Sequence, residues 1–326
     1  MALTLPDDWV WDLWIADTGV DYHLFYLTAP RRLMPDDRHR GARIGHAVST
    51  DLTTWTYIGE ALAPEEGPAF DDLATWTGST VQDDSGLWHT FYTGLSRAED
   101  GMVQRIGVAT SRDLRTWAKS GRDPVVVSDG RWYHQWSPGG EPEAWRDPWV
   151  VRDPDGAGWH MIITATARHG HPSDRGVLGH AWSPDLVDWE VRPPLSDPGS
   201  GFGQLEVPQV CVIDGRQVLL FNCLGSHLSD HRRAAATPGG VWALPAERLL
   251  GPHMVSRATR LTDESLYVAK LVQRRDGEWV VLAFVNEDED GQFVGAITDP
   301  IPVPLPVGSG PLLSASLPRR PGSPPG

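Results

Sequence analysis

One pattern, G-x-A-x-S-x-D-L-x-x-W, occurs three times in this chain without gaps. The copies read IGHAVSTDLTTW, IGVATSRDLRTW and LGHAWSPDLVDW, beginning at Ile44, Ile106 and Leu178. The alternation in the first half of the pattern is typical of a strand, and the Ser and Asp that follow are typical of a turn. The copies lie 62 and 72 residues apart, so the pattern indicates an internal repeat larger than one hairpin.

A second unit, a polar turn followed by a strand-like segment, precedes each copy and recurs twice more. Its five forms are DTGVDYHLFYL, DDSGLWHTFYTG, DPDGAGWHMIITA, IDGRQVLLFNC and RRDGEWVVLAFVN, each preceded by another short segment. Four short strands per repeat of about 60–70 residues, five times over, predict an all-β fold. The prediction is a five-bladed β-propeller with four antiparallel strands per blade and an active site in the central funnel. We expect it to span residues 1–302, followed by a Pro/Gly/Ser-rich tail at residues 303–326.

Composition narrows the function. A formal net charge of −15 repels nucleic acid and anionic membranes, and no basic patch offsets it. The first residues lack a basic end followed by an apolar run, and no segment approaches the ~20 apolar residues of a membrane span, so the sequence predicts a soluble, cytoplasmic protein. The 16 Trp residues are as well explained by a β-rich core as by sugar binding. The composition favours a small-molecule or oligosaccharide substrate. The sequence contains no heptad repeats, so it does not predict an oligomeric state.

Three acids stand at the beginning of the first strand in different repeats. Asp12, Asp147 and Glu206 lie 10, 12 and 11 residues before equivalent positions of the next strand. Because the first strand of each propeller blade lines the central axis, we expect the three to occupy one structural slot and to meet in one funnel, with residues 76–79 of the second blade. A single acid at such a place is usually a turn residue that accepts backbone amides. Three in register favour catalysis.

Close, partly desolvated acids raise one another's pKa, so that one stays protonated while another remains an anion. Cleavage of a glycosidic bond needs that combination. Arg146, beside Asp147, supplies a fixed cation that we expect to hold Asp147 ionised and to bind sugar hydroxyls. The alternative from another functional class is a non-catalytic propeller whose acids only hydrogen-bond a carbohydrate.

Four segments in this order, VWDLW, TWTGS, WRDPW and GQLEVPQ, resemble the signature segments of the β-fructosidase clan, glycoside hydrolase families 32 and 68. The resemblance implies a five-bladed propeller that acts on sucrose or fructo-oligosaccharide-type β-fructofuranosides, by hydrolysis or fructosyl transfer. It further implies that Asp12 is the nucleophile, Glu206 the general acid/base and Asp147 the stabiliser that binds fructosyl hydroxyls. The expected substrate-binding residues are Trp11, Trp76, Ser79, Arg146 and Gln204. Val207 departs from the Arg that usually follows the acid/base Glu in levansucrases.

A retaining enzyme of this kind has its two carboxyl groups about 5–5.5 Å apart, whereas a separation of about 6.5–9.5 Å is typical of inversion. An inverting, family-43-like arabinanase or xylosidase is therefore the nearest alternative. The two histidines in residues 168–171 are interpreted as solvated surface, and no phosphate loop or Cys/His pattern occurs, so neither a metal nor a cofactor is predicted. His227 and His231 have helical spacing, but nothing in the sequence supports a role at the pocket rim.

Overall fold

The computed structural model describes residues 2–154, 156 and 158–303. Its strands form five sheets of four strands, and the sheets are the blades of a β-propeller. The first blade contains β1 (Asp8–Asp17), β2 (Tyr22–Pro30), β3 (Arg43–Ser49) and β4 (Thr56–Leu62). The second contains β5 (Ala74–Gln82), β6 (Trp88–Leu95), β7 (Gln104–Ser111) and β8 (Ala118–Lys119). The predicted five-bladed, all-β architecture is therefore confirmed.

The next two blades repeat the same antiparallel order. The third contains β9 (Trp145–Arg152), β10 (Trp159–Thr166), β11 (Gly176–Ser183) and β12 (Glu190–Arg192). The fourth contains β13 (Glu206–Ile213), β14 (Arg216–Cys223), β15 (Gly240–Ala246) and β16 (Thr259–Arg260). Connections in the described part of the chain include one α-helix, α1 (Asp230–Ala234), and 3-10 helices at Pro35–Gly41, Pro172–Asp174, Gly225–His227 and Val255–Arg257.

The fifth blade joins the two ends of the described chain. It contains β17 (Leu266–Gln273), β18 (Trp279–Glu287), β19 (Phe293–Ile297) and β20 (Ile301–Pro302), the last two both pairing with β18. The backbone of Leu3 exchanges two hydrogen bonds with Ile297, of 2.9 and 3.0 Å. The N-terminal segment thus covers the edge of β19 and ties the fifth blade to the first.

The hydrophobic core is divided among the interfaces between blades. One cluster packs the first blade against the second and fifth, and three others fill the second-to-third, third-to-fourth and fourth-to-fifth interfaces. The second and third strands of each sheet are consequently largely buried on both faces, whereas outermost strands such as β4, β8 and β12 are mostly exposed. This arrangement fixes the inner strands around the axis.

The three-fold sequence pattern builds the turn between the third and fourth strands of a blade. In the first copy the carboxylate of Asp51 accepts the backbone N–H groups of Thr53 and Thr54, both at 2.8 Å, and Leu52 adopts φ 64° with its side chain buried. These bonds lower the pKa of Asp51. The spacing of Asp and Leu that is repeated in the three copies of the pattern therefore has a structural cause rather than a catalytic one.

The Trp at the end of the pattern packs one blade on another. Trp117 of the second blade meets the ring of Phe25 of the first edge-on at 5.7 Å, and Trp189 of the third meets Phe91 of the second at 5.3 Å. Such edge-to-face contacts add to the burial of each ring. The repeat thus sets the packing of neighbouring blades.

Residues 240–246 of the fourth blade form no helix: Gly240–Ala246 is β15, paired with β14 at seven positions and largely buried between sheets. The helix in this blade is instead α1, whose N-cap Ser229 accepts the backbone N–H of Arg232. The boundary at residue 302 stays a prediction, since residues 304–326 of the predicted tail lie outside the described residues. Among the described helices, none has the length and apolar character needed to cross a bilayer.

Candidate active site

A cavity of about 380 Å³ opens at the propeller axis, and every blade contributes two consecutive residues of its innermost strand to the cavity wall. These pairs are Trp11–Asp12, Trp76–Thr77, Arg146–Asp147, Glu206–Val207 and Tyr267–Val268. A volume of this order suits a small-molecule ligand. The three acids named from the sequence therefore do share one cavity.

Each pair sits at an irregularity in the pairing of the inner strand. The register shifts after Trp11, Trp76, Arg146, Glu206 and Tyr267. The following residue has a positive φ in four blades, at Asp12, Asp147, Val207 and Val268, with values of 42°, 56°, 48° and 46°. A bulge re-aims side chains relative to a regular strand. The repeated bulge thus turns two adjacent side chains per blade toward the axis.

The bulges correct the alignment made from the sequence. Asp12 and Asp147 occupy the bulged position, but Glu206 precedes it and is equivalent to Arg146 of the third blade. The expectation that the three acids share one slot is therefore wrong by one residue for Glu206. The cause is that strand and turn lengths differ slightly between blades, so that counting back from the second strand misses the bulge.

Asp147 is held by its own blade and both neighbours. Its backbone N–H donates to Thr93 Oγ1 at 2.9 Å, and its Oδ2 accepts from Thr164 Oγ1 at 2.8 Å and from Val207 N–H at 3.2 Å. Burial raises the pKa of Asp147, while Arg146 and these donors oppose the rise. The carboxylate orientation is thereby fixed before any substrate arrives.

Asp12 has fewer donors. Thr77 Oγ1 donates to its Oδ2, and Arg38 is the nearby cation. Burial raises the pKa of Asp12 to about 7, reinforced by the negative charges of Asp147 and Glu206 and opposed by Thr77 and Arg38. Asp12 therefore binds a proton far more readily than an ordinary aspartate.

Glu206 is surrounded by donors. Its Oε1 accepts from Arg146 Nη2 at 2.8 Å and lies 3.3 Å from His227 Nδ1, and its Oε2 accepts from the hydroxyl of Tyr267 at 2.5 Å. Burial alone would raise the pKa of Glu206, but the contacts with His227, Arg146 and Tyr267 outweigh it and lower the pKa to about 2. The free protein thus keeps Glu206 ionised more strongly than Asp12.

Arg146 connects the acids. Its Nε lies 3.3 Å from Asp147 Oδ2, its Nη2 also donates to Gln204 Oε1 at 3.0 Å, and its Nη1 donates to Gln104 Oε1 at 3.3 Å. A planar guanidinium can serve several acceptors at once, which a lysine ammonium cannot do with the same geometry. The predicted partnership of Arg146 with Asp147 is present and extends to Glu206.

Four of the five predicted substrate-binding residues line the cavity: Trp11, Trp76, Arg146 and Gln204. Ser79 does not, and this assignment needs correction. Its buried hydroxyl accepts the backbone N–H of Val150 at 3.0 Å, so it links the second and third blades. Two residues beyond the bulge, its side chain no longer faces the axis.

Several cavity residues were not identified from the sequence. Tyr267 is equivalent to Trp11 and Arg146 by register, and that alignment could have found it. His227 lies at the cavity, while His231 is exposed on α1. Arg38 and His39 come from the 3-10 helix Pro35–Gly41 between β2 and β3. The corresponding connections of the third and fourth blades hold shorter 3-10 helices, Pro172–Asp174 and Gly225–His227, so the repeat does not fix where the side chains of this segment lie. Among the described residues, no group of three or more His, Cys, Asp or Glu is placed to hold a metal ion.

Comparisons with known proteins place this architecture in a family. The sequence model described as "Glycosyl hydrolases family 32 N-terminal domain" matches residues 15–295, a segment that includes Asp147 and Glu206 and begins just after Asp12. An extracellular sucrase of Zymomonas mobilis is 26% identical over 293 residues, covering 76% of this chain and 68% of that protein. The beta-fructofuranosidase insoluble isoenzyme CWINV6 of Arabidopsis thaliana is 30% identical over 194 residues, covering 57% of this chain. The chain spans only 32% of that plant protein.

Among solved structures, an inulosucrase from Halalkalicoccus jeotgali bound to kestose superposes with a TM-score of 0.73 and 25% identity, covering 89% of this chain and 79% of that one. These relatives favour the glycoside hydrolase prediction over the arabinanase-like and non-catalytic alternatives. They also contradict the predicted cytoplasmic location, which is therefore wrong: the Zymomonas relative is an extracellular sucrase. The predicted likeness to the β-fructosidase clan is confirmed, and the chain belongs to glycosyl hydrolase family 32.

Proposed function

We propose that this chain cleaves β-fructofuranosides of the sucrose or fructo-oligosaccharide type with retention of configuration. The observation that carries the proposal is the convergence of Asp12, Asp147 and Glu206 in one axial cavity through the repeated bulge. The names of the relatives, a sucrase, a beta-fructofuranosidase and an inulosucrase, support a fructosyl substrate.

In this proposal Asp12 attacks the anomeric carbon of the fructosyl unit, and Glu206 protonates the departing glycosidic oxygen. Water, or another sugar, then attacks the covalent intermediate while Glu206 removes a proton from it. The bond from Asp12 to carbon breaks and its carboxylate is restored. Asp147, immobilised by Thr164 and Val207, accepts hydrogen bonds from fructosyl hydroxyls.

The proton needed for this reaction is shared by a coupled pair. With pKa values near 7 for Asp12 and near 2 for Glu206, the pair holds one proton through the acidic range, mostly on Asp12. The productive form carries it on Glu206 with Asp12 ionised. Because the pair titrates as a unit, the reactive fraction depends on the difference between the two affinities, and any contact that raises the pKa of Glu206 enlarges it.

The test is incubation of the purified chain with sucrose, inulin, levan and aryl pentosides, followed by chromatography of the released sugars. We expect fructose or fructosylated products with the wild type, and losses of about 10²–10⁴-fold for Asp12→Asn and Glu206→Gln. Asp113→Asn, in a surface turn outside the cavity, is the matched control and keeps activity. Release of pentose alone, or equal turnover by all variants, would overturn the proposal.

The stereochemistry needs its own measurement. Proton NMR of the first product formed from sucrose distinguishes the two anomers of released fructofuranose before they equilibrate. Retention gives the β-anomer first, whereas the α-anomer first would assign an inverting mechanism. Product chromatography at high sucrose concentration separates water from sugar as the second acceptor.

A further inference from the structure

We propose that Arg38 is a substrate-binding residue that donates to an oxygen substituent of the bound sugar, and so determines specificity at the Asp12 end of the cavity. This inference rests on the proposed function. The shared chemistry of the ligand is an oxygen with free lone pairs, carried either by a sugar hydroxyl or by a phosphate ester.

Two aromatic rings hold the guanidinium of Arg38 in place. Arg38 lines the cavity, and its Cζ lies 3.9 Å from the ring centre of Phe293 and 5.3 Å from that of Trp11. Aromatic faces on a guanidinium hold its plane in place while leaving its edge available for hydrogen bonds. Arg38 is thus fixed beside the proposed nucleophile rather than free in solvent.

The N–H donors of Arg38 are only partly used within the protein. Nη1 donates to the backbone oxygen of Pro35, which anchors the side chain to its own 3-10 helix. Nε is buried and has no hydrogen-bond partner among the described residues, and the same is true of Nε1 of Trp11. Buried donors are nearly always satisfied in native proteins, and an exception at a cavity indicates a role in binding.

The charge of Arg38 is compensated mainly by Asp12. Burial lowers the pKa of Arg38 to about 10, with Asp12 the leading charge that opposes the fall. When Asp12 becomes an ester in the proposed intermediate its charge disappears, and the desolvated Arg38 loses that compensation. An oxygen of the substrate, placed against the free edge of the guanidinium, supplies the missing acceptor.

Two roles can be separated by paired substitutions. Arg38→Lys keeps the charge and loses the planar fork, whereas Arg38→Gln loses both. If Arg38 binds substrate, KM for sucrose rises about 10- to 100-fold in both variants, with a smaller fall in kcat. If it acts only through the charge on Asp12, the alkaline limb of the pH profile moves in Arg38→Gln alone and KM stays constant in both, which would overturn the inference.

The matched control is Arg40→Gln. Arg40 belongs to the same 3-10 helix, but it is largely exposed and pairs with Asp100 outside the cavity. We expect its KM and kcat to equal those of the wild type. Thermal unfolding of all three variants detects any collapse of the Pro35–Gly41 segment, which would also raise KM in the control.

Sucrose 6-phosphate distinguishes the two sources of the oxygen. If a phosphate is the natural partner, the wild type prefers sucrose 6-phosphate to sucrose in kcat/KM, and the preference is lost in Arg38→Gln but largely kept in Arg38→Lys. If a hydroxyl is the partner, sucrose is preferred and both variants lose affinity for it. Binding measured by calorimetry in a Glu206→Gln background keeps this test independent of turnover. If the wild type shows no activity but sugar binding still depends on Arg38, the proposed function is refuted and the inference about Arg38 is not.

Discussion

The hydroxyl of Tyr267 donates a hydrogen bond of 2.5 Å to Oε2 of Glu206. Tyr267 occupies the position of the fifth blade that is equivalent to Glu206 in the fourth, immediately before the bulge. Two equivalent positions of the repeat therefore carry, in one blade, the proposed acid and, in the next, a donor that stabilises its ionised form. The propeller repeat therefore places the proposed acid Glu206, and the Tyr267 hydroxyl that lowers its pKa, at the same level of the axis.

We predict that Tyr267→Phe moves the acidic limb of the kcat/KM profile to higher pH by about one to two units. The limb reports loss of activity when the Asp12/Glu206 pair takes up a second proton, and the hydroxyl lowers the pKa of Glu206. Removing it raises that pKa, so the second proton binds at higher pH. Because the pKa of Glu206 is lowered to about 2, the profile is measured with sucrose from about pH 2 to about pH 9.

Tyr92→Phe is the matched control for this change. Tyr92 is buried and donates to Asp71 at 2.8 Å, away from the cavity. Its loss is expected to reduce stability without moving either limb. An acidic limb that coincides in wild type and Tyr267→Phe would show that Tyr267 does not tune the acid.

On the other limb, activity is expected to fall above about pH 7, where the pair loses its one proton, because burial raises the pKa of Asp12 to about 7. Thr77→Val removes the hydroxyl that donates to Asp12 and keeps the side-chain shape. The pKa of Asp12 then rises, and the alkaline limb moves to higher pH. Thr90→Val, which disrupts the 2.7 Å contact with Thr80 on the neighbouring strand, should leave the limb in place. Activity that increases through pH 8 in the wild type would contradict the assignment.

Arg146→Lys is expected to lower kcat/KM by about 10²- to 10³-fold. An ammonium cannot hold Asp147, Glu206 and Gln204 at once, as Arg146 does with its Nε and Nη2. Arg152→Lys is the control on the same strand, because Arg152 forms a largely exposed pair with Asp84 and should retain activity within about twofold. The value of kcat/KM is measured for both variants by steady-state kinetics. A fully active Arg146→Lys variant would show that the guanidinium of Arg146 is not needed for catalysis.

The repeats could be identified from the sequence because each blade depends on a local pattern of strand and turn residues. One such pattern occurs three times in this chain. Sequence reasoning identified the acids because the inner strand of a blade must line the axis. It misplaced Glu206 by one residue, since a bulge adds a residue without any change in composition. The prediction that Ser79 binds substrate failed for the same reason. Regular alternation would point its side chain toward the axis, but the bulge between Trp76 and Gly78 changes the alternation.

Residues outside the repeat could not be found in this way. The segment at residues 35–41 reaches the cavity only because of the path of one loop, so Arg38 and His39 carried no signal. His227 lies in a second such loop. The strand β15 has no clear sequence signal, because its burial between two blades, rather than any periodicity, decides its conformation.

Acid is expected to destabilise the fold through two buried histidine pairs. His160 Nδ1 lies 2.8 Å from His180 Nε2, and His23 Nδ1 lies 2.9 Å from His46 Nε2. Burial and the neighbouring histidine lower the pKa of His46 and of His180 to about 3. Between about pH 6.5, where an unfolded histidine titrates, and pH 3, the unfolded chain binds protons that the native chain does not.

The free energy of unfolding therefore falls as the pH falls through this window, by about 1.4 kcal/mol per pH unit for each such histidine. His180→Gln keeps a polar partner for His160 and removes one of these groups, so the slope between pH 6 and 4 should decrease by about one proton. Guanidinium unfolding followed by tryptophan fluorescence measures it, with the exposed His231→Gln as control. If His180→Gln and His231→Gln both showed the wild-type slope, the buried pairs would have no part in acid unfolding, and the carboxylates of the cavity would have to account for it.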